Sequence, residues 1–383
     1  MSNSLRHMLS LDDFERAARR ILPKPLYAYV AGAVEDNVSE VANRQAYRQY
    51  AFSPQVLVDI SRRTTGVKLL GKTYAAPVGI APMGIAALTS YRGDLVLAEA
   101  AARANIPSIM SGSSLIRLEE VMARAPQTWF QAYLPGDPVH ITALIDRVRA
   151  AGVETLVLTV DTPVAANREN NVRAGFSTPL RPSLSLALQG ITHPRWLLCT
   201  FLRTLASHGM PHFENNYATR GAPIMSASVL RDFADRGHLN WGHVARIRQD
   251  WKGQMVIKGV LNPKDAATAK AMGMDAIIVS NHGGRQLDGS IAPLKALPGV
   301  LEAVGDFPVM IDSGVRRGTD VLKAMALGAS AVFIGRPFNY AAAAGRAGVD
   351  HAIALIIEEL RRGLGMLGVV DFAELNADYL RDA

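Results

Sequence analysis

The amino-acid sequence predicts an α/β fold, a (β/α)8 TIM barrel with an N-terminal helical extension and a long insertion after strand 4. Three observations lead there. Eight short apolar runs rich in Val and Ile recur along the 383 residues, too continuous for half-exposed strands and suited to strands buried on both faces. Each is followed by an Ala-rich amphipathic stretch, and eight strands with eight following helices is the count for such a barrel. A doubly wound sheet also alternates strand and helix, but it usually carries a GxGxxG turn after its first strand, and this chain has none there.

Residues 1–77 form a separate block. Within it LDDFERAARRILPKPLYAYVAGA reads as a helix, a proline-marked break and a second helix ended by glycine, a cover packed across the barrel. The barrel follows over 78–383. Its strands are VGIAPM from 78, PSIMSG from 107, TWFQAYL from 128, TLVLTVD from 155, QMVIKGV from 254, AIIVSNHG from 276, PVMIDSG from 308 and AVFIGRP from 331. The helices between them include LVLAEAAARAN, ITALIDRVRAAG, PKDAATAKAMG and TDVLKAMALG, and AIALIIEELRRGL follows the last strand. The fourth and fifth runs start 99 residues apart, against 21 to 32 elsewhere. The excess is an insertion over about 170–239, on the face where these barrels place their active sites.

Composition narrows the function classes. With 49% hydrophobic and 20% charged residues, and ordinary Gly and Pro usage, the chain is neither disordered nor collagen-like. Cys199 is the single cysteine, which excludes an internal disulfide, CxxC redox chemistry and cysteine-rich metal sites. No HxxxH or His/Cys cluster occurs, so no metal is expected. The first 20 residues lack the apolar stretch of a secretory signal, and no window reaches the roughly 18 apolar residues of a membrane span. A soluble protein of a reducing compartment, attached at most to a membrane surface, is expected. The net charge of +7 invites a nucleic-acid reading, but the basic residues are spread and no recognition motif accompanies them.

The strand ends are unusually polar: Gln131 and Tyr133, Thr159 and Asp161, Lys258, Ser280 with Asn281 and His282, Asp312, and Arg336. Each alone could cap a loop, but together they bring six strands to one mouth. SGVRRGTDV from Ser313 and IGRP from Ile334 follow strands 7 and 8, where such barrels bind phosphate through backbone amides and a helix N-terminus. Arg316 and Arg336 add charge-assisted donors, and Gly335 permits close backbone approach. In SNHGGRQLD, His282 is a candidate general base, Arg285 a carboxylate clamp, and Asp161 the partner for an imidazolium.

LPKPLYAYVAGAVED, IAPMG, FQAYL, LTVDTPVAANRENNVRAGF, IKGV, SNHGGRQLDG, DSGVRRGTDVLKAMALGA and IGRP, in this order, resemble the FMN-dependent α-hydroxy acid dehydrogenase and oxidase family over nearly the whole chain. The pattern is nearest to its membrane-associated lactate and mandelate dehydrogenases. The resemblance implies FMN at the barrel mouth, its phosphate on Ser313, Gly314, Val315 and Arg316 and on Gly335 and Arg336. It implies Pro82, Met83 and Gly84 along the flavin ring, and Ser111, Gln131 and Thr159 on its polar edge. Lys258 matches the family lysine beside the ring, with Ser280 and Asp312 completing the set. A Schiff-base aldolase is the other use of a barrel lysine, but it leaves SNHGGRQLD without a purpose.

For substrate, Arg168 and Arg285 match the family's carboxylate clamp, and Tyr29 and Tyr133 the tyrosines bonding carboxylate and hydroxyl. His282 then acts as base with Asp161 behind it, and a 2-oxo acid leaves, by hydride transfer or through a carbanion. Ser113 stands where the glycolate-oxidising branch carries a bulky tryptophan, which favours lactate, mandelate or another bulky 2-hydroxy acid. Gly84 matches the dehydrogenase branch, where oxidases often carry alanine; VAANRE departs from the usual residues before the clamp arginine.

Between Asn170 and Pro211 the chain has no acidic residue, while Arg173, Arg181, Arg195 and Arg203 are basic and WLLCTFLRTL is apolar. Such a segment suits an anionic bilayer surface or a lid on the barrel or a neighbouring subunit. The expectation is peripheral attachment through 180–212 at the cytoplasmic face of the inner membrane, electrons passing to quinone. The alternatives are an oxygen-using oxidase releasing hydrogen peroxide and a non-enzymatic membrane scaffold. The resemblance also implies a homotetramer.

Overall fold

The computed structural model describes residues 5–177, 183–226 and 236–383. Eight parallel strands form the core: β1 Val78–Ile80, β2 Ile109–Ser111, β3 Trp129–Ala132, β4 Thr155–Thr159, β5 Gln254–Val260, β6 Ala276–Val279, β7 Val309–Asp312 and β8 Ala331–Ile334. Each lies inside one of the eight apolar runs. The neighbour order is β1-β8-β7-β6-β5-β4-β3-β2, and the parallel bridge Ile80–Ser108 brings the two ends together. The result is a nearly closed barrel, the fold class expected.

All eight strands but β5 are buried at every residue. That is why they read as continuous apolar runs rather than alternating ones. The pleat still sorts the side chains: Val157 points into the barrel with Ile109, Trp129, Val256, Ile278 and Phe333, whereas Leu156 and Leu158 join the layer under the helices. Phe333 fills the space over Gly79, where an added Cβ would stand 2.4 Å from its ring and 2.9 Å from Pro107 O, so the centre of β1 requires glycine.

The helices that follow the strands include Gly93–Arg103, Pro138–Ala150, Trp241–Asp250, Pro263–Ala271, Gly318–Ala326 and Arg346–Leu367. Pro138 and Pro263 open theirs, with Asp137 and Asn262 accepting from the backbone N–H of His140 and Lys264, the start that proline and an N-cap side chain favour.

The first 77 residues serve both ends of the barrel. Helices Leu11–Ile21 and Lys24–Ala31, broken at Pro23, lead to a third, Val38–Arg48, which the apolar pattern did not announce. That helix buries Ser39 and Asn43 through hydrogen bonds and Ala46 and Tyr47 in the core, too few apolar positions to form a helical stripe. The hairpin Val67–Leu69/Lys72–Tyr74 sends Leu69 and Tyr74 into the barrel interior beside Trp129 and closes the end away from the mouth. Residues 1–4 of the block lie outside the described residues.

The insertion after β4 contributes helices Glu169–Arg173 and Leu184–Thr192, then a continuous helical stretch from Pro194 to His208 with a π-helical centre at Leu197–Leu202. Trp196 anchors it: the ring is buried, stacks on Phe201, and its Nε1 donates to Leu88 O at 2.7 Å. Leu184, Leu188, Ile191 and Leu198 are each at least 60% exposed. Arg181 and residues 227–235 lie outside the described residues. No helix among the described residues is long and apolar enough to cross a membrane.

Candidate active site

Past their last ladder residues seven of the runs leave the sheet as PMG, GS, YL, VDT, SNHG, SG and GRP, and residues from each of these ends line a cavity of about 730 Å³. All but four of the predicted site residues line it; the exceptions are Asp161, Ser111, Gln131 and Ser280. Asp161, Ser280 and Ser111 support the wall from behind, while Gln131 keeps its Nε2 unpaired. Asp161 backs His282, and Ser280 Oγ accepts from Lys258 Nζ and from the His282 N–H, both at 3.0 Å. Ser111 Oγ donates to Gln131 Oε1 at 3.2 Å.

His282 sits at φ +57°, a left-handed conformation that costs a side-chain-bearing residue energy. The neighbouring loop holds it there: Gly283 N donates to Ser313 Oγ at 3.0 Å, and Asn281 exchanges two hydrogen bonds with Asn43 at 2.7 and 2.8 Å. His282 Nδ1 lies 3.1 Å from Asp161 Oδ1. Burial, together with the cations Lys258 and Arg168, lowers the imidazole below its ordinary value despite the pull of Asp161. Burial pushes the Asp161 carboxyl up, but His282 and Lys258 outweigh it and hold the group below the usual carboxylate range. At neutral pH the imidazole is therefore neutral and the carboxylate charged. Nδ1–H donates to Asp161, and Nε2 is left to accept a proton.

Lys258 comes from the middle of β5 and carries its charge inside the wall. Its Nζ lies 3.0 Å from Asp312 Oδ2. Burial lowers its pKa, but Asp312 and Asp161 outweigh that and keep the ammonium charged. Arg285 donates to Gly32 O and covers the Tyr29 ring at 5.2 Å. Burial and the neighbouring Arg168 charge bring its guanidinium down to about 9, the mark of a cation lacking a counter-ion. Arg168 belongs to the irregular segment after β4 and is fixed by donating to Arg285 O at 3.2 Å and Gln286 Oε1 at 2.6 Å. Burial and the Asp161 charge keep the Tyr133 hydroxyl protonated as a donor.

The wall also has apolar members, Leu88, Val164, Val172, Phe176, Phe213 and Ile224. Phe176 packs on Tyr29 with ring centroids 4.7 Å apart. Ser113 and Gly84 leave room there, and a Cβ on Gly84 would stand 3.1 Å from the Tyr29 hydroxyl. Sequence reasoning missed Gln286, which donates to Asp161 O at 3.2 Å while accepting from Arg168. It also missed Asn43. Gln286 stood inside the quoted SNHGGRQLD motif, whereas nothing in the pattern of helix Val38–Arg48 marks Asn43.

Residues 18–382 match the family described as FMN-dependent dehydrogenase. The chain belongs to the FMN-dependent dehydrogenase family. Among its relatives, (S)-mandelate dehydrogenase of Pseudomonas putida is 35% identical over 98% of this chain and 94% of its own length. An L-lactate dehydrogenase of Xanthomonas euvesicatoria pv. vesicatoria is 39% identical over 96% of this chain and 95% of its own. The crystal structure of the monotopic membrane protein (S)-mandelate dehydrogenase superposes with a TM-score of 0.92 at 35% identity, covering 98% of this chain and all of that one.

The cofactor of this FMN-dependent dehydrogenase is FMN, and the cavity fits it. Arg316 Nε, Arg336 Nε and Gln131 Nε2 are buried without a hydrogen-bond partner among the described residues, a cost that a polar ligand would remove. Gly335 lines the cavity, and an added Cβ there would already be in van der Waals contact with Ala81 Cβ at 3.7 Å and Met83 Sδ at 3.9 Å. Ser313 and Gly314 have φ of +79° and +84°, and an added Cβ on Gly314 would meet Asn43 O at 2.4 Å. This turn leads to the N-terminus of helix Gly318–Ala326, an arrangement that suits a phosphate.

Proposed function

We propose that the protein oxidises an L-2-hydroxy acid with an apolar side chain, lactate, mandelate or a bulkier relative, to the 2-oxo acid. The observation that carries this is the placement of the His282–Asp161 pair beside two guanidiniums, Arg168 and Arg285, in a cavity that also presents the apolar side chains Leu88, Val164, Val172, Phe176, Phe213 and Ile224. In this reading residues 1–77 are a cover contributing Tyr29, the barrel 78–383 carries the chemistry, and the insertion of about 170–239 walls the substrate with Phe176, Phe213 and Ile224 and carries the membrane-docking segment.

Arg168, Arg285 and the Tyr29 hydroxyl hold the carboxylate, which supplies the counter-ion the arginines lack. Tyr133 donates toward the substrate hydroxyl. Nε2 of His282 takes a proton from the substrate, and the Asp161 carboxylate stabilises the imidazolium that results. Bound FMN supplies the two-electron acceptor. Pro82, Met83, Gly84, Thr159 and Gln131 would hold its ring, Lys258 would place a cation beside it, and Ser313, Gly314, Val315, Arg316, Gly335 and Arg336 would hold its phosphate. The small side chain of Ser113 and the Phe176–Phe213–Ile224 wall support an apolar substituent larger than hydrogen.

Anaerobic reduction of the flavin by glycolate, L-lactate and (S)-mandelate tests the reading. We expect bleaching with the last two, with kcat/KM at least tenfold above glycolate, the value of roughly one apolar group in a fitted pocket. A yellow protein that none of these acids bleaches would refute it.

Exposed Leu184, Leu188, Ile191 and Leu198, on an acid-free segment with Arg173 and Arg195, support peripheral membrane attachment and a quinone as electron acceptor. Replacing Leu188, Ile191 and Leu198 together by glutamate is expected to abolish sedimentation with anionic vesicles while leaving substrate reduction of the flavin intact. Unchanged sedimentation would remove the docking role. Turnover with a quinone analogue above that with oxygen is expected, and the reverse would favour the oxidase alternative.

A further inference from the structure

The two arginines of the phosphate end face a carboxylate from the N-terminal block. Glu40 stands in the first turn of helix Val38–Arg48, and its Oε1 lies 3.9 Å from Arg316 and 3.8 Å from Arg336. Asp12 adds a second carboxylate 3.9 Å from Arg316 Nε. These distances are ion pairs too long for hydrogen bonds, so Glu40 neutralises the guanidiniums without consuming their donors. The helix has no slack with which to carry Glu40 away. Asp288 accepts from the Val38 and Ser39 N–H groups at 3.1 and 2.8 Å. On the other side Gly284 approaches so closely that an added Cβ would stand 2.6 Å from Glu40 N.

The Arg336 side chain is 12% exposed; its partial burial and the Arg316 charge disfavour the protonated form, while Tyr340 and Glu40 favour it. One carboxylate placed between two largely desolvated guanidiniums relieves their mutual repulsion when no other anion is present. A phosphate group brought to the same pair meets that carboxylate at short range. Glu40 is only 22% exposed, so solvent and salt screen the repulsion weakly.

We infer that Glu40 is a built-in counter-ion of the cofactor's phosphate site, keeping Arg316 and Arg336 in place before FMN arrives and lowering the affinity with which FMN is held. This rests on the phosphate assignment to Ser313–Arg316 and Gly335–Arg336. Glu40→Gln keeps the size of the side chain and the helix contacts just described, and removes only the charge. FMN is then expected to bind at least about tenfold more tightly. Riboflavin, which lacks the phosphate, is expected to bind as before, and the apoprotein is expected to melt at a lower temperature.

Flavin-free wild type, Glu40→Gln and Asp12→Asn are titrated with FMN and with riboflavin, binding being followed by quenching of flavin fluorescence. Asp12→Asn is expected to act in the same direction more weakly, and it carries the test if Glu40→Gln does not refold. FMN affinity unchanged or weakened in the variants, with wild type still preferring FMN to riboflavin, overturns the role of Glu40 alone. Equal tightening of both flavins also overturns it. Equal affinity of wild type for the two flavins removes the phosphate assignment itself.

Discussion

Replacing His282 by alanine is expected to leave a yellow protein whose flavin the substrate no longer reduces, with turnover lower by about 10²–10⁴-fold, the range a positioned general base supplies. The cofactor is expected to stay because Arg316, Arg336, Lys258 and the Ser313–Gly314 turn do not depend on the imidazole. Stopped-flow reduction alongside the flavin spectrum separates the two properties. Retention of most of the turnover would refute the base assignment. The pH dependence has a definite sign. His282 must be neutral to accept a proton, and its pKa lies below 6.5, so kcat/KM falls on the acid side, with a limb below that pH. The same shift means that the unfolded chain binds the extra proton first, so stability too declines as pH drops below 6.5. Asp161→Asn removes the group that pulls this pKa up and would stabilise the imidazolium. Its acid limb is expected to move to lower pH while the rate falls, a combination that simple unfolding would not produce.

The barrel was legible because its strands are buried on both faces. Every residue of β4 is buried, and TLVLTVD accordingly has the continuous apolar form that a half-exposed strand lacks. The site was legible where chemistry is carried by residue types with few other uses at a strand end, as with Lys258, His282 and Arg285. Helix Val38–Arg48 was not, because Asn43, Ser39 and Glu40 act through hydrogen bonds and charge across more than 200 residues of sequence, and polar complementarity at that range leaves no period to read. Likewise, the difference between lining the cavity and standing behind its wall, as Ser280 and Ser111 do, depends on which side of a strand end faces inward. Polarity alone does not encode that. The segment VAANRE departed from the family pattern before the clamp arginine, yet Arg168 is held by Arg285 O and Gln286 from the loop after β6, two strands away. Its orientation is set by partners outside its own segment.

Lys258→Met is expected to be the most damaging single change to stability, costing about 3–5 kcal/mol, because it leaves Asp312 as a buried carboxylate without its cation. Asp161 loses a favourable charge at the same time. In wild type the pair holds throughout the neutral range: the Lys258 pKa is raised above 10.5, so its contribution is present below that value and lost only as pH climbs through the raised one. Loss of flavin reduction in Lys258→Met would by itself be ambiguous, since a loosened wall and a missing cation give the same outcome. Lys258→Met combined with Asp312→Asn separates them. Two neutral side chains of similar volume restore most of the stability, because the penalty came from the unpaired carboxylate rather than from lost attraction. Ser313 Oγ, which donates to Asp312 Oδ1 at 2.8 Å, keeps an acceptor in asparagine. The double variant is therefore expected to melt near wild type and retain FMN, yet to have a lower flavin reduction potential and slow reduction by substrate, since no cation remains beside the ring. Chemical denaturation and a redox titration of the two variants decide the matter. A double variant with wild-type potential would reduce Lys258 to a structural ion pair, and one as unstable as Lys258→Met would show that the lysine's packing, rather than its charge, holds the wall.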